Sequence, residues 1–268
     1  MRLLVHAGFH KTGTTSIQRM LQRDRALLAP ALRILLREDM HGLTEAARAW
    51  SAARDGVEWG LFRYEAARVL GALDPADPRP VLLCSEDLSG HMPGRHGLTA
   101  YDAAPRLMQG LMETAADLLG PGVARFEFVF TTRAAAPWVR SCHAQHICAT
   151  RMTEDADSYA RAFLPHADLQ AMAAAVGRAV NPAPVHVAAL EDFTDTPLGP
   201  IDALFEVLGL DPALRQQVQP IPAANVSVPG PVLAELLSLN RSDADWSVIK
   251  QRKRRLITRA RRAAAGPA

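Results

Sequence analysis

Apolar residues form four short and nearly continuous runs along the chain, each followed by turn residues or by a helical pattern. The runs cover residues 2–6, 80–84, 125–131 and 184–189. Strands covered on both faces lose the alternation of apolar and polar residues, as happens in parallel sheets flanked by helices. The runs therefore predict buried, mainly parallel strands.

Between these runs, apolar residues recur at helical spacing. Ile201, Leu204, Phe205 and Leu208 follow i, i+3, i+4, i+7, and Gly209 stands where a helix commonly ends. Three further stripes consist of Ile17, Met20, Leu21 and Leu28; of Phe62, Ala66, Val69, Leu70 and Leu73; and of Leu107, Leu111, Ala115 and Leu118. Because strands and helices alternate, we expect an α/β fold with an open, mainly parallel sheet of about four to five strands flanked by helices.

Two stretches between the predicted strands, 38–78 and 148–180, are longer than one crossover requires and carry helical patterns. Insertions of this kind commonly form the walls of a substrate cleft. We predict one domain over residues 1–245 with these two helical insertions, followed by a basic C-terminal helix or tail over 246–268. The apolar stripe of that helix consists of Trp246, Ile249, Leu256 and Ile257.

The positive charge is concentrated in this last segment. The chain has 30 Lys and Arg against 28 Asp and Glu, and residues 250–262 hold eight of the cations and no acid, which leaves 22 against 28, or −6, elsewhere. The basic character therefore belongs to one segment, and we expect no nucleic-acid partner. Two interpretations of the segment stay open: a solvated basic helix, or a contact with an anionic membrane surface.

The apolar runs and the cysteines indicate the cellular compartment of the protein. No run approaches the roughly 18–20 apolar residues of a membrane span, and the first residues lack the pattern of a signal peptide. Cys84, Cys142 and Cys148 are odd in number and lack CxxC spacing, so neither a disulfide framework nor a zinc site is indicated. We expect a cytoplasmic protein with reduced thiols.

The segment HAGFHKTGTTSIQ, residues 6–18, lies directly after the first predicted strand and opens the first predicted helix. At such a junction, successive backbone N–H groups and the positive end of the helix point at one spot. Gly13 permits close approach of an anion, and Lys11 adds a positive charge. Hydroxyl donors follow at Thr14, Thr15 and Ser16. The segment is therefore equipped to hold a phosphate group.

The glycine spacing of this loop matches that of a Walker A loop, but its lysine does not. Gly8 and Gly13 keep the GxxxxG spacing, whereas Thr14 follows Gly13 and Lys11 precedes it by two residues. No lysine is thus in position to reach a γ-phosphate, which disfavours hydrolysis of ATP or GTP. A P-loop kinase or another nucleotide phosphotransferase is the alternative enzyme.

Residues 10–18, HKTGTTSIQ, resemble the 5′-phosphosulfate loop of sulfotransferases that use 3′-phosphoadenosine 5′-phosphosulfate (PAPS), which reads roughly PKTGTTSL. The resemblance implies a P-loop type of fold, PAPS as the sulfuryl donor and 3′-phosphoadenosine 5′-phosphate (PAP) as the product. It implies catalysis by Lys11. The cofactor-binding residues it implies in the loop are His10, Lys11, Thr12, Gly13, Thr14, Thr15 and Ser16.

A second nucleotide signal follows the third predicted strand. Sulfotransferases carry an arginine at the end of this strand and a serine eight residues later, and the two bind the 3′-phosphate of PAPS; Arg133 and Ser141 match that spacing. A guanidinium offers a bidentate fork to a phosphate, and a serine adds a hydroxyl donor. A surface arginine followed by a helical serine is the structural alternative.

The segment CSEDLSG after the second predicted strand holds the candidate base. Carbohydrate sulfotransferases of the heparan type have a glutamate there as general base, so the resemblance implies that Glu86 deprotonates a hydroxylated acceptor, a sugar or a glycolipid. Asp87 is the local competitor, and His10 and His91 are further candidates. The implied reaction requires no metal.

The remaining resemblance is diffuse and includes departures. Residues 185–211 resemble a later family segment, and Asn225 and Ser227 resemble its late Asn-x-Ser region. Ala189 and Leu190 stand where the family often has an aromatic residue against adenine, and the late Arg-Lys-Gly loop of cytosolic members is missing; residues 241–262 are another source of positive charge. A catalytically silent protein that binds PAP or serves as a scaffold is the third hypothesis.

Overall fold

A computed structural model describes residues 1–221 and 228–264. The chain forms two compact units. The first comprises Met1–Ala134 with Asp168–Pro222, and the second comprises Ala135–Ala167 with Ala223–Ala268. None of the helices in the described residues has the length and apolar character needed to cross a membrane.

The first unit is built on one five-stranded sheet in which all neighbouring strands are parallel. Its strands are β1 (Arg2–His6), β2 (Arg33–Leu36), β3 (Val81–Cys84), β4 (Arg125–Thr132) and β5 (Val185–Ala189). The strand order is β2-β3-β1-β4-β5, with Val5 of β1 paired with Leu83 of β3 and Phe128 of β4. The predicted α/β fold with an open parallel sheet is confirmed.

Helices account for most of the remaining described chain. In the first unit they are α1 (Thr14–Arg23), α2 (Arg25–Leu28), α3 (His41–Ala53), α4 (Gly56–Gly71), α5 (Ala104–Leu119), α8 (Leu169–Val180), α9 (Ile201–Leu208) and α10 (Pro212–Arg215), and in the second α6 (Ala135–Ala149), α7 (Ala156–Phe163), α11 (Gly230–Arg241) and α12 (Trp246–Ala264). Short 3₁₀ turns lie at Glu86–Ser89, Leu164–His166 and Leu190–Phe193. The stretches predicted to be helical insertions thus carry α3, α4, α7 and α8.

Helices α1 and α9 pack on the sheet face that carries Leu4. Ile17 and Leu21 of α1 and Leu204 and Phe205 of α9 are buried in the same apolar cluster as Leu4. Burial of each such side chain contributes about 1.5–3 kcal/mol relative to exposure. This packing fixes where α1 begins, and therefore where the loop between β1 and α1 lies.

Most predicted elements are confirmed, with three corrections. The apolar runs did not predict β2, a four-residue edge strand in which buried and half-buried residues alternate. Leu28 belongs to α2 and not to α1, because the chain turns at Asp24. Leu118 is 45% exposed and does not join the buried stripe of α5. The cap at Gly209 is confirmed by its φ of 67°.

In the second unit, polar side chains from α11 and α12 cap the C-terminal end of α6. Asn240 donates to the carbonyl oxygens of Ile147 and Met152, at 3.2 and 2.8 Å, and Lys253 donates to that of Thr150 at 2.7 Å and to Asn240 Oδ1 at 2.9 Å. Burial lowers the pKa of Lys253. Carbonyls that α6 cannot pair internally are satisfied in this way. The expected domain boundary near residue 245 stays a prediction.

Candidate functional site

The loop between β1 and α1 crosses the carboxyl-terminal edge of the sheet at its centre. From β1 the chain continues to β2 on one side of the sheet, and from β4 it continues to β5 on the other. Ligands of open α/β sheets bind in the crevice that opens where neighbouring connections diverge in this way. A ligand site is therefore expected at the loops that follow β1 and β4.

The loop has two residues in left-handed backbone conformations. Lys11 has a φ of 69° and Gly13 a φ of 97°. A left-handed non-glycine residue costs about 1–3 kcal/mol, and such residues concentrate at functional sites. At Gly13 a Cβ would also lie 2.9 Å from Pro200 Cγ and 3.0 Å from Leu190 Cδ1. Both the conformation and the packing therefore require glycine at position 13.

Gly13 precedes α1 and leaves backbone donors open at its start. The N–H groups of Ser16 and Ile17 donate to the Gly13 carbonyl, at 3.0 and 3.3 Å. Within residues 1–221 and 228–264, the N–H groups of Thr14 and Thr15 find no acceptor. The side chains of Thr15 and Ser16 are half-buried, whereas that of Thr14 is buried. Two backbone donors and the positive end of the helix thus meet at the edge of the loop.

Thr12 faces the interior of the unit. Its side chain is fully buried, and its hydroxyl lies 2.5 Å from the Phe9 carbonyl oxygen and 2.6 Å from Thr131 Oγ1 on β4. This hydroxyl therefore anchors the loop to the sheet. Any contact between Thr12 and a phosphate has to run through its backbone N–H.

His10 links the loop to two segments farther along the chain. Its backbone N–H donates to the Tyr101 hydroxyl at 3.0 Å, and its Nδ1 lies 2.9 Å from the same hydroxyl. Its Nε2 lies 3.3 Å from Asp87 Oδ1. These contacts suit a ring whose Nδ1 accepts the Tyr101 hydroxyl proton and whose Nε2 donates to Asp87. His10 therefore contributes to positioning Lys11, its neighbour in the chain.

Asp87 is held as a carboxylate by the groups around it. Burial raises its pKa, but His10 and the guanidinium groups of Arg37 and Arg48 outweigh burial, so its pKa lies below the ordinary value. Arg37 Nε lies 3.1 Å from Oδ2, and Arg48 Nε lies 3.8 Å from Oδ1. A carboxylate with so many partners is a poor proton acceptor, which weakens Asp87 as a candidate base.

Glu86, the preceding residue, has fewer partners. It is half-buried, and its Oε2 accepts a hydrogen bond from Gln18 Nε2 on α1. Within the described parts of the chain, its Oε1 has no hydrogen-bond partner. Glu86 therefore lies beside the first helix that follows the loop, with one carboxylate oxygen available to a ligand.

His91, the more distant candidate base, is neutral near pH 7. Burial lowers its pKa to about 4, and Arg48, His96 and Arg95 act in the same direction. Its Nδ1 lies 3.4 Å from Arg48 Nε, and its ring centroid lies 4.5 Å from that of His96. A base with so low a pKa accepts a proton weakly at neutral pH.

Arg133 reaches the loop from the end of β4. Its Nη1 donates to the Lys11 carbonyl oxygen over 3.4 Å, and its side chain is half-buried. The next backbone N–H, that of Ala134, donates to Glu191 Oε1 at 3.0 Å in the 3₁₀ turn after β5. Contacts thus connect the segments after β1, β4 and β5. Ser141 lies half-buried on α6 in the second unit, and its predicted partnership with Arg133 stays a prediction.

Tyr101, Arg37 and Arg48 contact this region from segments remote in the chain and carry no signal in the sequence. Gln18 and Glu191 lie within segments for which a resemblance was stated. Among residues 1–221 and 228–264, no three His, Cys, Asp or Glu side chains are grouped so that they could hold a metal ion. Asn225 and Ser227, part of the diffuse resemblance, lie outside the described residues.

Comparison with models of known protein families gives no match, and comparison with curated proteins gives none either.

Proposed function

We propose that the protein is a sulfotransferase that moves a sulfuryl group from PAPS to an acceptor hydroxyl. The observation that carries the proposal is the approach of Arg133 Nη1 to the Lys11 carbonyl oxygen at 3.4 Å. This contact brings the arginine after β4 to the loop after β1, and ligands of open α/β sheets bind in the crevice beside such loops. PAPS carries a 5′-phosphosulfate and a 3′-phosphate on one ribose, so a single crevice with two anion-binding groups suits it.

In the proposed reaction, the acceptor oxygen forms a bond to sulfur while the bond from sulfur to the bridging phosphate oxygen breaks, which leaves PAP. Transfer of this kind depends on positioning and charge stabilisation, as phosphoryl transfer does. Lys11 neutralises the charge that grows on the departing phosphate. The open N–H groups of Thr14 and Thr15 bind the 5′-phosphate, and Arg133 binds the 3′-phosphate.

Glu86 serves as the base in this proposal. Its Oε1 has no partner within the described residues, whereas both oxygens of Asp87 lie near guanidinium groups. The carboxylate takes the acceptor proton as the oxygen attacks sulfur, a contribution of about 10²–10⁴-fold in rate. The acceptor is a sugar or glycolipid hydroxyl, the reaction requires no metal, and it takes place in the cytoplasm.

The experiment that tests the proposal compares thermal stabilisation by PAP, by AMP and by ATP with Mg²⁺. PAP is expected to stabilise the protein more than AMP does, because only PAP has the 3′-phosphate. Arg133→Ala should remove most of this difference, whereas Arg125→Ala, an exposed arginine at the start of β4, should leave it unchanged. Selective stabilisation by ATP with Mg²⁺ would instead support a nucleotide phosphotransferase.

Transfer is tested by PAP release from PAPS in the presence of mixed sugar and glycolipid acceptors. Lys11→Ala should abolish release, and Glu86→Gln should reduce it by about 10²–10⁴-fold while PAP still binds. Full activity of Lys11→Ala would end its catalytic assignment. A wild-type protein that binds PAP and releases none from PAPS with any acceptor would support the silent binder.

A further inference from the structure

Helix α12 presents an unusual density of cations to solvent. Seven of its side chains are exposed and positively charged: Lys250, Arg252, Arg254, Arg255, Arg259, Arg261 and Arg262. The helix contains no acidic residue, and none of the seven forms an ion pair within residues 1–221 and 228–264. Unpaired like charges repel one another, so this face is stabilised by any anionic surface that approaches it.

The cations share one side of the helix. Ile249 and Lys253 are buried against the second unit, and Leu256, Ile257 and Ala260 are half-buried beside them. At 3.6 residues per turn, the seven cations occupy an arc of about 200° whose centre lies opposite this buried stripe. The whole cationic arc therefore faces away from the part of the second unit that α12 packs against.

A groove runs along the middle of the arc. It is shallow and open to solvent, with a volume of about 450 Å³, and is lined by Gln251, Arg254, Arg255, Thr258, Arg259 and Arg262. Its side chains offer guanidinium forks, a hydroxyl and an amide. Guanidinium groups bind phosphate oxygens in bidentate fashion, and hydroxyls add a donor. The groove therefore suits phosphate groups of the kind that a lipid surface presents.

From this arrangement we infer that α12 docks the protein on an anionic lipid surface, with the helix axis lying along the surface. Two features favour lipid over nucleic acid. Val248 lies on the same arc and is 38% exposed, and an apolar side chain among cations gains free energy at a lipid interface but not on a phosphate backbone. The arc also has no aromatic side chain on which an exposed base could stack.

The inference is independent of the proposed sulfotransferase activity, because it uses no residue of the nucleotide crevice and lipid binding is measured without PAPS. The test is co-sedimentation of the full-length protein with vesicles of phosphatidylcholine alone and of phosphatidylcholine mixed with phosphatidylserine. Binding is expected only to the mixed vesicles, and it should fall as salt is added, because exposed charges are screened.

The decisive variant is Arg255→Gln/Arg259→Gln/Arg262→Gln, which removes three cations from one wall of the groove. Each basic residue near an anionic lipid surface contributes about fivefold in affinity at low salt, so the triple variant should bind about 100-fold more weakly. The matched control, Arg125→Gln/Arg161→Gln/Arg178→Gln, removes three exposed arginines from elsewhere and should bind as the wild type does.

A second variant tests whether loss of the helix, and not loss of charge, causes the weaker lipid binding. Replacement of the same three arginines by lysine keeps the charge and the helical propensity, so most of the binding should return. The inference is overturned if the glutamine triple binds mixed vesicles as tightly as the wild type, if neutral vesicles bind equally well, or if duplex DNA at equal phosphate concentration binds more tightly than the vesicles.

Discussion

Gly8→Ala tests how tightly the loop is fitted to the sheet. Gly8 is the second residue after β1, and a Cβ at this position would lie 2.6 Å from Thr131 Oγ1 and 2.7 Å from His6 Nε2. Neither side chain moves away cheaply. Thr131 Oγ1 shares a buried hydrogen bond with Thr12 at 2.6 Å, and the His6 ring is fully buried with its Nδ1 3.2 Å from Cys84 Sγ.

The magnitude follows from these two obstacles. An extra methyl group in a packed interior costs about 1–3 kcal/mol. Rotation of Thr131 would add the loss of its buried hydrogen bond to Thr12, about 1–3 kcal/mol. We therefore expect Gly8→Ala to lower the free energy of unfolding by about 2–6 kcal/mol. Gly60→Ala is the control: nothing lies within 4 Å of its Cβ in α4, and alanine there should stabilise by about 0.5–1 kcal/mol.

The assay is urea denaturation followed by circular dichroism, with the slope of the transition compared between variants. A double-mutant cycle with Thr131→Ala isolates the part of the clash that Thr131 causes, because removal of Oγ1 relieves that contact while the contact with His6 remains. The combined loss should be smaller than the sum of the two single losses by more than about 1 kcal/mol. A Gly8→Ala protein as stable as the wild type would contradict the tight packing of the loop against β1 and β4.

Three further predictions concern charge and capping. Asp87→Asn should lower stability at pH 7, because the folded-state pKa of Asp87 is depressed. The contribution of Asp87 to stability is present above its unfolded-state pKa and is lost as pH falls through its folded-state pKa. The difference in stability between variant and wild type, measured by denaturation at several pH values, should therefore shrink in acid. Asn240→Leu should destabilise the second unit by about 2–3 kcal/mol, since two carbonyls and Lys253 lose their partner. Hydrogen exchange at the end of α6 should accelerate, and Asn240→Asp, which keeps an acceptor for Lys253, should lose less stability. Lys253 has a lowered folded-state pKa, so the unfolded chain binds more protons than the folded chain between the two pKa values. The stability of the wild type relative to Lys253→Met should therefore rise with pH across that window. A pH-independent difference would contradict the burial of a charged amine.

The sequence was sufficient for the elements whose signal is local. The runs at 2–6, 80–84 and 125–131 become strands that are buried over most of their length, so their apolar character is continuous. The run at 184–189 becomes the edge strand β5, which is only partly buried, with Val187 47% exposed. The edge strand β2 was not predicted, because it spans only Arg33–Leu36 and alternates between buried and half-buried residues. A run this short has the same appearance as the end of a helical stripe.

The candidate site was predictable only in part. The motif marked the loop with its Lys11 and Gly13, because a glycine before the start of a helix is a local signal, whereas the left-handed conformation of Lys11 was not predicted. The partners of His10 were not predictable, since Tyr101 lies 91 residues away in the chain and no periodicity relates the two. Likewise, the neutralisation of Asp87 by arginines from the β2 and α3 segments depends on the strand order, which a pattern of apolar runs does not fix.

The loop divides its polar side chains between two tasks, and this affects how its motif is interpreted. Thr12 and His10 engage their side chains with Thr131, Tyr101 and Asp87, while the N–H groups of Thr14 and Thr15 stay open within the described residues. A left-handed lysine persists only where its surroundings hold it. The interior contacts therefore preorganise the donors that a phosphate would meet, which lowers the cost of binding. It follows that a substitution such as Thr12→Val should weaken anion binding without removing any group that touches the anion.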